Sequence, residues 1–292
     1  MENLKEIMTT DWNADFSAEL QKDAVHAIES EKILHFPNMP FTLSTEEKEF
    51  LSPIYADPNA KNVSYNRTTG LLRAAECSME KHELLKKMMH RFSQHAENLV
   101  KHLLPAYANH LEVGRTSYRP IEIQGRTSSY RKDDTRLHVD AFPSTPVQGK
   151  RILRVFANIN PHNQPRVWRV GESFAGVVHQ FLPRTRKAWP GRSSLLKALG
   201  ITKSYCTDYD YIMLQIHNQM KKDSDYQKTV PQSEIHFLPN TSWIVQTDHV
   251  SHAAMSGQYA LEQTFYLPVD AMVNPELSPL RILEKSTGKK LV

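Results

Sequence analysis

Apolar and polar positions follow each other along the chain in two ways, and the first predicts helices. Between Glu80 and Leu104, apolar side chains recur at helical spacing with charged residues between them, and Pro105 follows. This segment is predicted to form a long amphipathic helix whose apolar stripe packs on a sheet. A shorter helix is predicted to begin at Ser44 or Thr45, where three glutamates suit the positive end of the helix dipole.

The second pattern predicts strands, and it is concentrated after residue 110. β-Branched and aromatic residues gather in four short stretches that are typical of strands. The stretches are residues 121–126, 151–160, 242–246 and 261–268. Residues 208–222 instead have the pattern of a helix with a polar end.

These elements predict an α+β fold in one domain, residues 1–292. A mainly helical N-terminal part, residues 1–110, precedes a β-rich core over residues 115–270. The core is interrupted by a long helical insertion, residues 162–235, between its two groups of strands. No Gly/Ser-rich or Pro-rich linker divides the chain, and a chain of 292 residues with 40% hydrophobic content can bury a full core.

Composition argues against several classes of protein. Apolar stretches such as residues 211–216 are far shorter than the ~20 residues of a membrane-spanning helix. The N-terminus lacks a basic region followed by an apolar one, so we expect no secretory signal and a cytoplasmic protein. Cys77 and Cys206 lie far apart and in no metal-binding spacing, which argues against a disulfide scaffold and a zinc knuckle.

The insertion contains a basic run, in which Arg184, Arg186, Lys187 and Arg192 flank Trp189. The plain interpretation is a solvated loop. Arg, however, forms bidentate hydrogen bonds with carboxylates and phosphates, and Trp favours a membrane interface. We therefore expect an anionic, partly lipidic ligand. Single-stranded nucleic acid is a competing interpretation. No helix-turn-helix, RNA-recognition or zinc-finger pattern supports it, and we expect no nucleic-acid partner.

The candidate chemistry begins with a His-x-Asp triplet. His138 and Asp140, two apart on a predicted strand, point their side chains to the same face. Residues 248–252 supply a distant third ligand, either His252 or His249. Two histidines and one carboxylate on one side of a metal are typical of non-haem Fe(II) oxygenases, which keep open positions for cosubstrate and dioxygen. Such a triplet also arises by chance, but strands are predicted around both halves of this site.

Four blocks of sequence resemble the Kdo hydroxylase family, a group of bacterial Fe(II)- and 2-oxoglutarate-dependent dioxygenases. The blocks are residues 137–144, 151–161, 166–172 and 262–268, within a resemblance that covers about residues 121–269. The resemblance implies a double-stranded β-helix core, a jelly roll of the cupin-like type. It also implies hydroxylation of carbon 3 of 3-deoxy-D-manno-oct-2-ulosonic acid (Kdo) attached to lipid A, with Fe(II), 2-oxoglutarate and dioxygen.

The resemblance bears on the choice of metal ligands. His138, Asp140 and His252 are our predicted ligands, because resembling families place the distal ligand directly before a small residue with Gly a few positions later. Residues 252–257 follow that pattern. His249 is the rival, and it would lie on the opposite strand face from His252 if the segment stays extended.

The expected cosubstrate anchor departs from the common pattern. Many 2-oxoglutarate oxygenases carry an Arg about ten residues after the distal His, whereas residues 261–264 contain no basic residue. Arg154 resembles the basic residue that other oxygenases of this fold carry on the strand after the triplet, and we predict that it grips the distal carboxylate. Arg166 and Arg169 are the alternates. An outward-facing strand Arg is the plain alternative.

The resemblance also implies where the protein acts. Lipid A is assembled on the cytoplasmic face of the inner membrane of Gram-negative bacteria, so this chain would meet Kdo-lipid A there as a peripheral enzyme on an anionic surface. The basic run would suit the phosphates and acyl chains of that substrate. Two alternatives stay open: an oxygenase of the same type acting on another anionic molecule or a protein side chain, and a cupin-like binding or hydrolytic protein that holds zinc.

Overall fold

The computed structural model describes residues 3–126, 128–189 and 191–292, and within these ranges it contains eleven strands and seven α-helices. The strands are β1 (Leu4–Glu6), β2 (Ile33–Phe36), β3 (Val63–Asn66), β4 (Leu71–Arg73), β5 (Glu112–Arg119), β6 (Arg151–Asn158), β7 (Arg166–Val170), β8 (Ser233–Phe237), β9 (Ser242–Gln246), β10 (His252–Ser256) and β11 (Ala260–Leu267). The helices are α1 (Ala18–Glu29), α2 (Met79–Leu103), α3 (Phe174–Phe181), α4 (Arg192–Ala198), α5 (Asp208–Lys222), α6 (Ser224–Thr229) and α7 (Pro279–Thr287). The architecture is therefore mixed α/β.

The strands form a larger and a smaller sheet. The larger sheet has eight strands in the order β1-β2-β9-β6-β11-β5-β3-β4, and the smaller has three in the order β10-β7-β8. Neighbouring strands are antiparallel except for β1 and β2, which are parallel. The strands β9, β6 and β11 are buried along almost their whole length, so they form the centre of the larger sheet.

Aromatic side chains fill the space between the two sheets. Trp243 of β9 stacks on Phe237 of β8 with ring centroids 4.0 Å apart, and on Phe156 of β6 at 5.0 Å. Trp168 of β7 packs edge-on against Phe156 and Phe237 at 5.2 and 5.7 Å. All four side chains are buried. The facing sides of the two sheets therefore share one hydrophobic core.

The long helix predicted for residues 80–104 is α2. Ser78 caps its N-terminus by accepting a hydrogen bond from the Lys81 N–H, and Pro105 follows its end. The apolar stripe of α2 is buried against β5 and β11, as the pattern predicts. Within the described ranges, no helix is both long and apolar enough to cross a membrane.

The first 110 residues contribute strands as well as helices. Strands β1 to β4 extend both edges of the larger sheet, and each is only three or four residues long, too short for a period of two to be visible in the sequence. The helix predicted from Ser44 or Thr45 is a single 3-10 turn, Glu47–Phe50. Ser44 and Glu47 cap each other there, since the side chain of each accepts a hydrogen bond from the backbone N–H of the other, at 3.2 and 2.9 Å.

The helical insertion begins later than the sequence predicts. Residues 166–170, which the sequence pattern assigned to the insertion, form β7 between β10 and β8. Their burial alternates as expected for a strand, but Arg166 occupies one of the buried positions and its charge hides the alternation. The helices of the insertion are α3 to α6, and α5 has the predicted bounds 208–222.

The strand predicted for residues 121–126 is not formed. The Glu122 carboxylate accepts hydrogen bonds from the backbone N–H groups of Ile123 and Gln124, at 2.8 and 3.1 Å, and from that of Gly257. A strand would offer such N–H groups to a neighbouring strand, so this local pairing replaces sheet formation. The segment turns instead, and the Arg126 N–H donates to the Ile123 carbonyl.

A fully buried ion pair joins β6 to the turn before β10. Arg151, the first residue of β6, donates from Nε to the Asp248 carboxylate at 2.7 Å, and both side chains are at most 1% exposed. A charge buried in this way is tolerated only while its partner remains. The pair therefore fixes the turn that leads into the segment of His252.

We expect Asp248→Ala to lower the free energy of unfolding by about 3 to 5 kcal/mol, because it leaves the Arg151 guanidinium buried without its partner. The matched control is Glu112→Ala, which removes a half-exposed ion pair with Lys150 and should cost less than about 1 kcal/mol. Urea unfolding measures both changes. Equal stability of the two variants would contradict the assignment of Arg151 and Asp248 as a stabilising pair.

Candidate functional site

Two distant segments meet at the predicted triplet. The backbone N–H of His138 donates to the carbonyl of His252, and the N–H of His252 donates back to the carbonyl of His138, both at 2.9 Å. The Asp140 N–H donates to the Thr247 carbonyl at 2.8 Å. Residues 136–140 are extended but form only this isolated bridge rather than a regular strand. The pairing brings the two imidazole rings to 4.7 Å between centroids.

The side chains of His138, Asp140 and His252 fit a metal ion. Each offers one nitrogen or carboxylate oxygen, and these atoms lie within 4.8 Å of one another. The Nδ1 atoms of the histidines are hydrogen-bonded to backbone carbonyls, those of Arg136 at 2.7 Å and Val250 at 2.9 Å. Nδ1 therefore carries the proton in each ring, and Nε2 is left to face the shared space, as in histidines that ligate metals.

The protonation states also suit a metal. Burial lowers the pKa of His138 well below its usual value and lowers that of His252, so both rings are neutral. Burial opposes ionisation of Asp140, but the Arg154 guanidinium 2.8 Å away outweighs it, and the pKa of this carboxyl is lowered to about 2. Neutral imidazoles and an ionised carboxylate are the forms that bind a cation.

A cavity of about 660 Å³ opens beside these three residues. Arg154 of β6 lies in its wall, bridging Asp140 and Glu262 with N–O distances of 2.8 Å to each. Arg119 of β5 lies there too, with a nitrogen 2.6 Å from the other oxygen of Glu262. The sequence reasoning missed Arg119, because its position depends on the pairing of β5 with β11, which no local pattern shows.

Arg166 of β7 also lines the cavity and is 3% exposed. It donates to the Gly257 carbonyl at 2.7 Å, and no carboxylate within the described ranges lies within 4.0 Å of its guanidinium. Burial, with a contribution from Arg119, lowers the pKa of Arg166 to about 9. Gly257 permits this close approach: its φ is +109°, and a Cβ there would lie 3.0 Å from the Arg166 Cδ atom.

Two other candidates lie away from the triplet. Arg169 is half-exposed, pairs loosely with Glu234 at 3.8 Å and is not part of the cavity wall. His249 is buried on the far side of its segment, where its Nε2 lies 3.4 Å from the Glu31 carboxylate and its ring packs on Phe174. The structure therefore groups His252, not His249, with the other two candidate ligands.

Helix α5 forms one wall of the cavity, a position that the sequence did not predict for it. Leu214, His217, Asn218 and Lys221 recur at helical spacing and all line the cavity. The sequence identified the helix, but its apolar pattern could not show which polar side chains would face a site.

Gln227 of α6 fastens the end of α5 to the metal-site segment. Its amide accepts a hydrogen bond from the Leu137 N–H and donates to the carbonyls of Leu137 and Met220, at 2.8, 3.0 and 2.9 Å. Arg136 adds a hydrogen bond to the Lys221 carbonyl at 2.9 Å. The insertion and the segment that carries His138 are thus held as one unit.

The basic run is partly engaged within the protein. Arg184 pairs with Asp223 at 2.7 Å, and the guanidinium of Arg192 lies over the Tyr211 ring at 4.1 Å. Arg186 and Lys187 are exposed and line a second groove of about 610 Å³. This groove is separate from the cavity of the triplet.

Exposed apolar side chains follow the basic run. Trp189 is 53% exposed, and four further large hydrophobic side chains around α4 are 47% to 63% exposed. These four are Leu195, Leu199, Ile201 and Tyr205. We call Trp189 and these four residues the α4 patch. The sequence reasoning noted Trp189 but missed the others.

Comparisons with known proteins agree with this site. The model of the 3-deoxy-D-manno-oct-2-ulosonic acid (Kdo) hydroxylase family matches residues 11–290. The crystal structure of the Kdo hydroxylase KdoO, a non-haem Fe(II) alpha-ketoglutarate-dependent dioxygenase, in complex with alpha-ketoglutarate and Fe(III) is 44% identical in sequence, with a TM-score of 0.96. Its cobalt(II) complex is 45% identical, with a TM-score of 0.97. Each comparison covers 99% of this chain and 97% of the other.

No curated protein sequence matches the chain. The family model, however, matches nearly all of it, and the KdoO structure aligns with 99% of it. The chain belongs to the Kdo hydroxylase family.

Proposed function

We propose that this protein is an Fe(II)- and 2-oxoglutarate-dependent dioxygenase that hydroxylates carbon 3 of Kdo in Kdo-lipid A. The observation that carries the proposal is the group of three donor atoms within 4.8 Å, at the wall of a large basic cavity, in a chain of this family. When bound, iron would supply the oxidation, using dioxygen while 2-oxoglutarate is decarboxylated to succinate. The protein's own residues would bind the iron and the two organic reactants, orient them and exclude water.

The proposal includes the fold expected for such enzymes. The larger and smaller sheets would be the two halves of a double-stranded β-helix, and the whole chain would act as one catalytic domain. The shared aromatic core around Trp243 and Trp168 supports this interpretation, as does the position of the triplet where β10 borders the segment of His138.

In this proposal, His138, Asp140 and His252 hold the iron. They would bind it through the Nε2 atoms of the two histidines and a carboxylate oxygen of Asp140, beside the cavity that would receive 2-oxoglutarate and dioxygen. The hydrogen bonds from Nδ1 to backbone carbonyls orient both rings before metal binds.

We expect the purified protein, with Fe(II), 2-oxoglutarate and dioxygen, to add one oxygen atom to the Kdo unit of Kdo-lipid A. His252→Ala should bind no stoichiometric Fe(II) and should form no product, because one of three ligands is lost. His249→Gln, the matched control, should keep both, since its side chain lies outside the triplet. Metal analysis of the folded variants and mass spectrometry of the lipid measure the result. Activity in His252→Ala together with its loss in His249→Gln would show that the ligand assignment is wrong.

The arginines of the cavity would hold the distal carboxylate of 2-oxoglutarate. Arg154 was the first candidate from the sequence, and its buried place beside Asp140 supports a role at the site. Arg166 has an additional argument in its favour, because its buried guanidinium has no carboxylate partner within the described residues. An incoming carboxylate would supply the missing countercharge. Arg169, outside the cavity wall, is the weakest of the three candidates.

We expect Arg166→Ala to weaken 2-oxoglutarate binding without changing Fe(II) affinity. Losing a charge-assisted contact should cost about 2 to 3 kcal/mol, roughly a 30- to 160-fold loss of affinity. Arg154→Ala should weaken the binding of both 2-oxoglutarate and Fe(II), because Arg154 also keeps Asp140 ionised. Arg169→Ala is the control and should resemble the parent. Anaerobic titrations of each variant measure the affinities, and parent-like 2-oxoglutarate binding by both Arg154→Ala and Arg166→Ala would remove the anchor role from these residues.

We further propose that the basic run and the α4 patch bring the enzyme to the anionic cytoplasmic face of the inner membrane. Arg186 and Lys187 are exposed beside a groove, where they can meet lipid phosphates. The α4 patch would be costly in water but favourable at the headgroup boundary, where Trp and Tyr are enriched. Basic and apolar groups side by side are typical of surfaces that lie on a bilayer.

Replacing Arg184, Arg186 and Lys187 with Ser should weaken binding to anionic vesicles. Each basic residue near such a surface contributes on the order of 1 kcal/mol to the free energy of binding. Raising the salt concentration should weaken the parent in the same way. The control carries the same charge change at exposed positions elsewhere, Lys22, Lys32 and Lys87. Co-sedimentation measures binding. If the two triple variants bind alike, the basic run is a solvated loop.

A further inference from the structure

Lys221 is a buried ammonium group whose partners in the protein are poor. Its side chain is 1% exposed and lies in the cavity wall. Its Nζ donates to the Arg131 carbonyl at 3.4 Å and lies 3.6 Å from the Asp134 carboxylate, and both distances are longer than those of good charge-assisted hydrogen bonds. An ammonium has three protons to donate. Lys221 is therefore buried with donor capacity to spare.

Asp134 does not need Lys221 as a partner. Lys61 lies 2.8 Å from the same oxygen of Asp134, and Arg119 lies 4.0 Å from the other oxygen. Three cations thus surround one carboxylate, and both lysines line the cavity. Lys61 is 39% exposed, but Lys221 is buried, and a buried cation without a close partner is unfavourable until an anion joins it. The cluster of Lys61, Asp134 and Lys221 is consequently an incomplete anion site.

The cluster lines the same cavity as the metal site, and one turn of α5 separates Lys221 from a neighbour of that site. The ring of His217 packs edge-on against that of His138, with centroids 5.3 Å apart. Lys221 follows His217 by one turn of α5, a rise of about 5.4 to 6 Å along the helix. An anionic group held by Lys221 would therefore keep the atoms a few bonds away from it close to the metal ligands.

We propose that Lys221, supported by Lys61 and Asp134, binds the carboxylate of the sugar acid and so positions the neighbouring carbon for oxidation. This inference rests on the proposed function. In Kdo the carboxylate carbon and carbon 3 are both attached to carbon 2, so an anchored carboxylate restricts the place of carbon 3. Asn218 lines the cavity between His217 and Lys221, and its amide can meet the hydroxyl groups of the sugar.

The cavity receives two kinds of carboxylate, and the cosubstrate is the competing source of the anion. Arg154 and Arg166, which we assign to 2-oxoglutarate, lie on β6 and β7, whereas Lys221 lies on α5. The two sites are therefore separable by experiment. A site for the sugar acid affects the use of substrate, and a site for the cosubstrate affects the affinity for 2-oxoglutarate.

The test compares Kdo-lipid A with the methyl ester of its Kdo carboxylate, using the full-length iron-loaded protein. For the parent, esterification should lower kcat/KM by about ten- to a hundredfold, because it removes the charge that Lys221 meets. Lys221→Met should use the acid no better than the ester, and Lys221→Arg should recover part of the preference. Lys222→Met, at the exposed neighbouring position of α5, is the matched control and should keep the parent preference. Anaerobic titration should give the same 2-oxoglutarate affinity for the parent and Lys221→Met.

Each outcome has a distinct meaning. If the parent hydroxylates neither substrate, the proposed function itself fails. If the parent is active but uses acid and ester equally well, the carboxylate site is overturned, whatever the stability of the variants. The same follows if Lys221→Met keeps the full preference for the acid. A loss of 2-oxoglutarate affinity in Lys221→Met, with the preference retained, would assign the anion to the cosubstrate instead.

Discussion

The candidate metal site depends on the two backbone hydrogen bonds between His138 and His252. The segment of His138 belongs to neither sheet, and β10 is the edge strand of the smaller one. The bridge uses the open side of that edge, which would otherwise present unpaired backbone groups. A slip of one residue would turn the His252 side chain to the opposite face. Register at a single bridge thus decides whether three donor atoms meet, and the buried pair of Arg151 and Asp248 helps to fix it.

Electrostatics gives the cavity a second constraint. Seven basic side chains line the cavity but only three acidic ones do, and a divalent metal would add further positive charge. Such an excess is costly to bury unless anions enter. The proposed reaction brings two, a dicarboxylate cosubstrate and a sugar acid. The folded state of the protein would then be stabilised by its own ligands, because they bind the native cavity and not the unfolded chain.

Local patterns predicted those features that depend on neighbours in sequence. The spacing of His138 and Asp140, the apolar stripe of α2 and the bounds of α5 are of this kind. Features that depend on long-range pairing, or on the groups that a charged side chain meets in the fold, were missed. Arg119 reaches the cavity through the register of β5 and β11. A strand was predicted over residues 121–126, but the Glu122 carboxylate accepts hydrogen bonds from backbone N–H groups that a strand would donate to its neighbour. β7 was assigned to the insertion because the charge of Arg166, at a buried position of this strand, hid the alternation of buried and exposed residues.

The amide of Gln227 gives the helical insertion a role in the architecture of the site. It pairs with both backbone groups of Leu137, as a neighbouring strand would, and it also holds the end of α5 through the Met220 carbonyl. The insertion therefore acts as a substitute strand on the outer side of the metal-bearing segment. A shorter loop could not replace the insertion without supplying another such amide. The backbone N–H and carbonyl of Leu137, next to the candidate ligand His138, would otherwise lose their hydrogen-bond partners. The proposed substrate site on α5 and the segment of His138 are in this way held together by the same few hydrogen bonds.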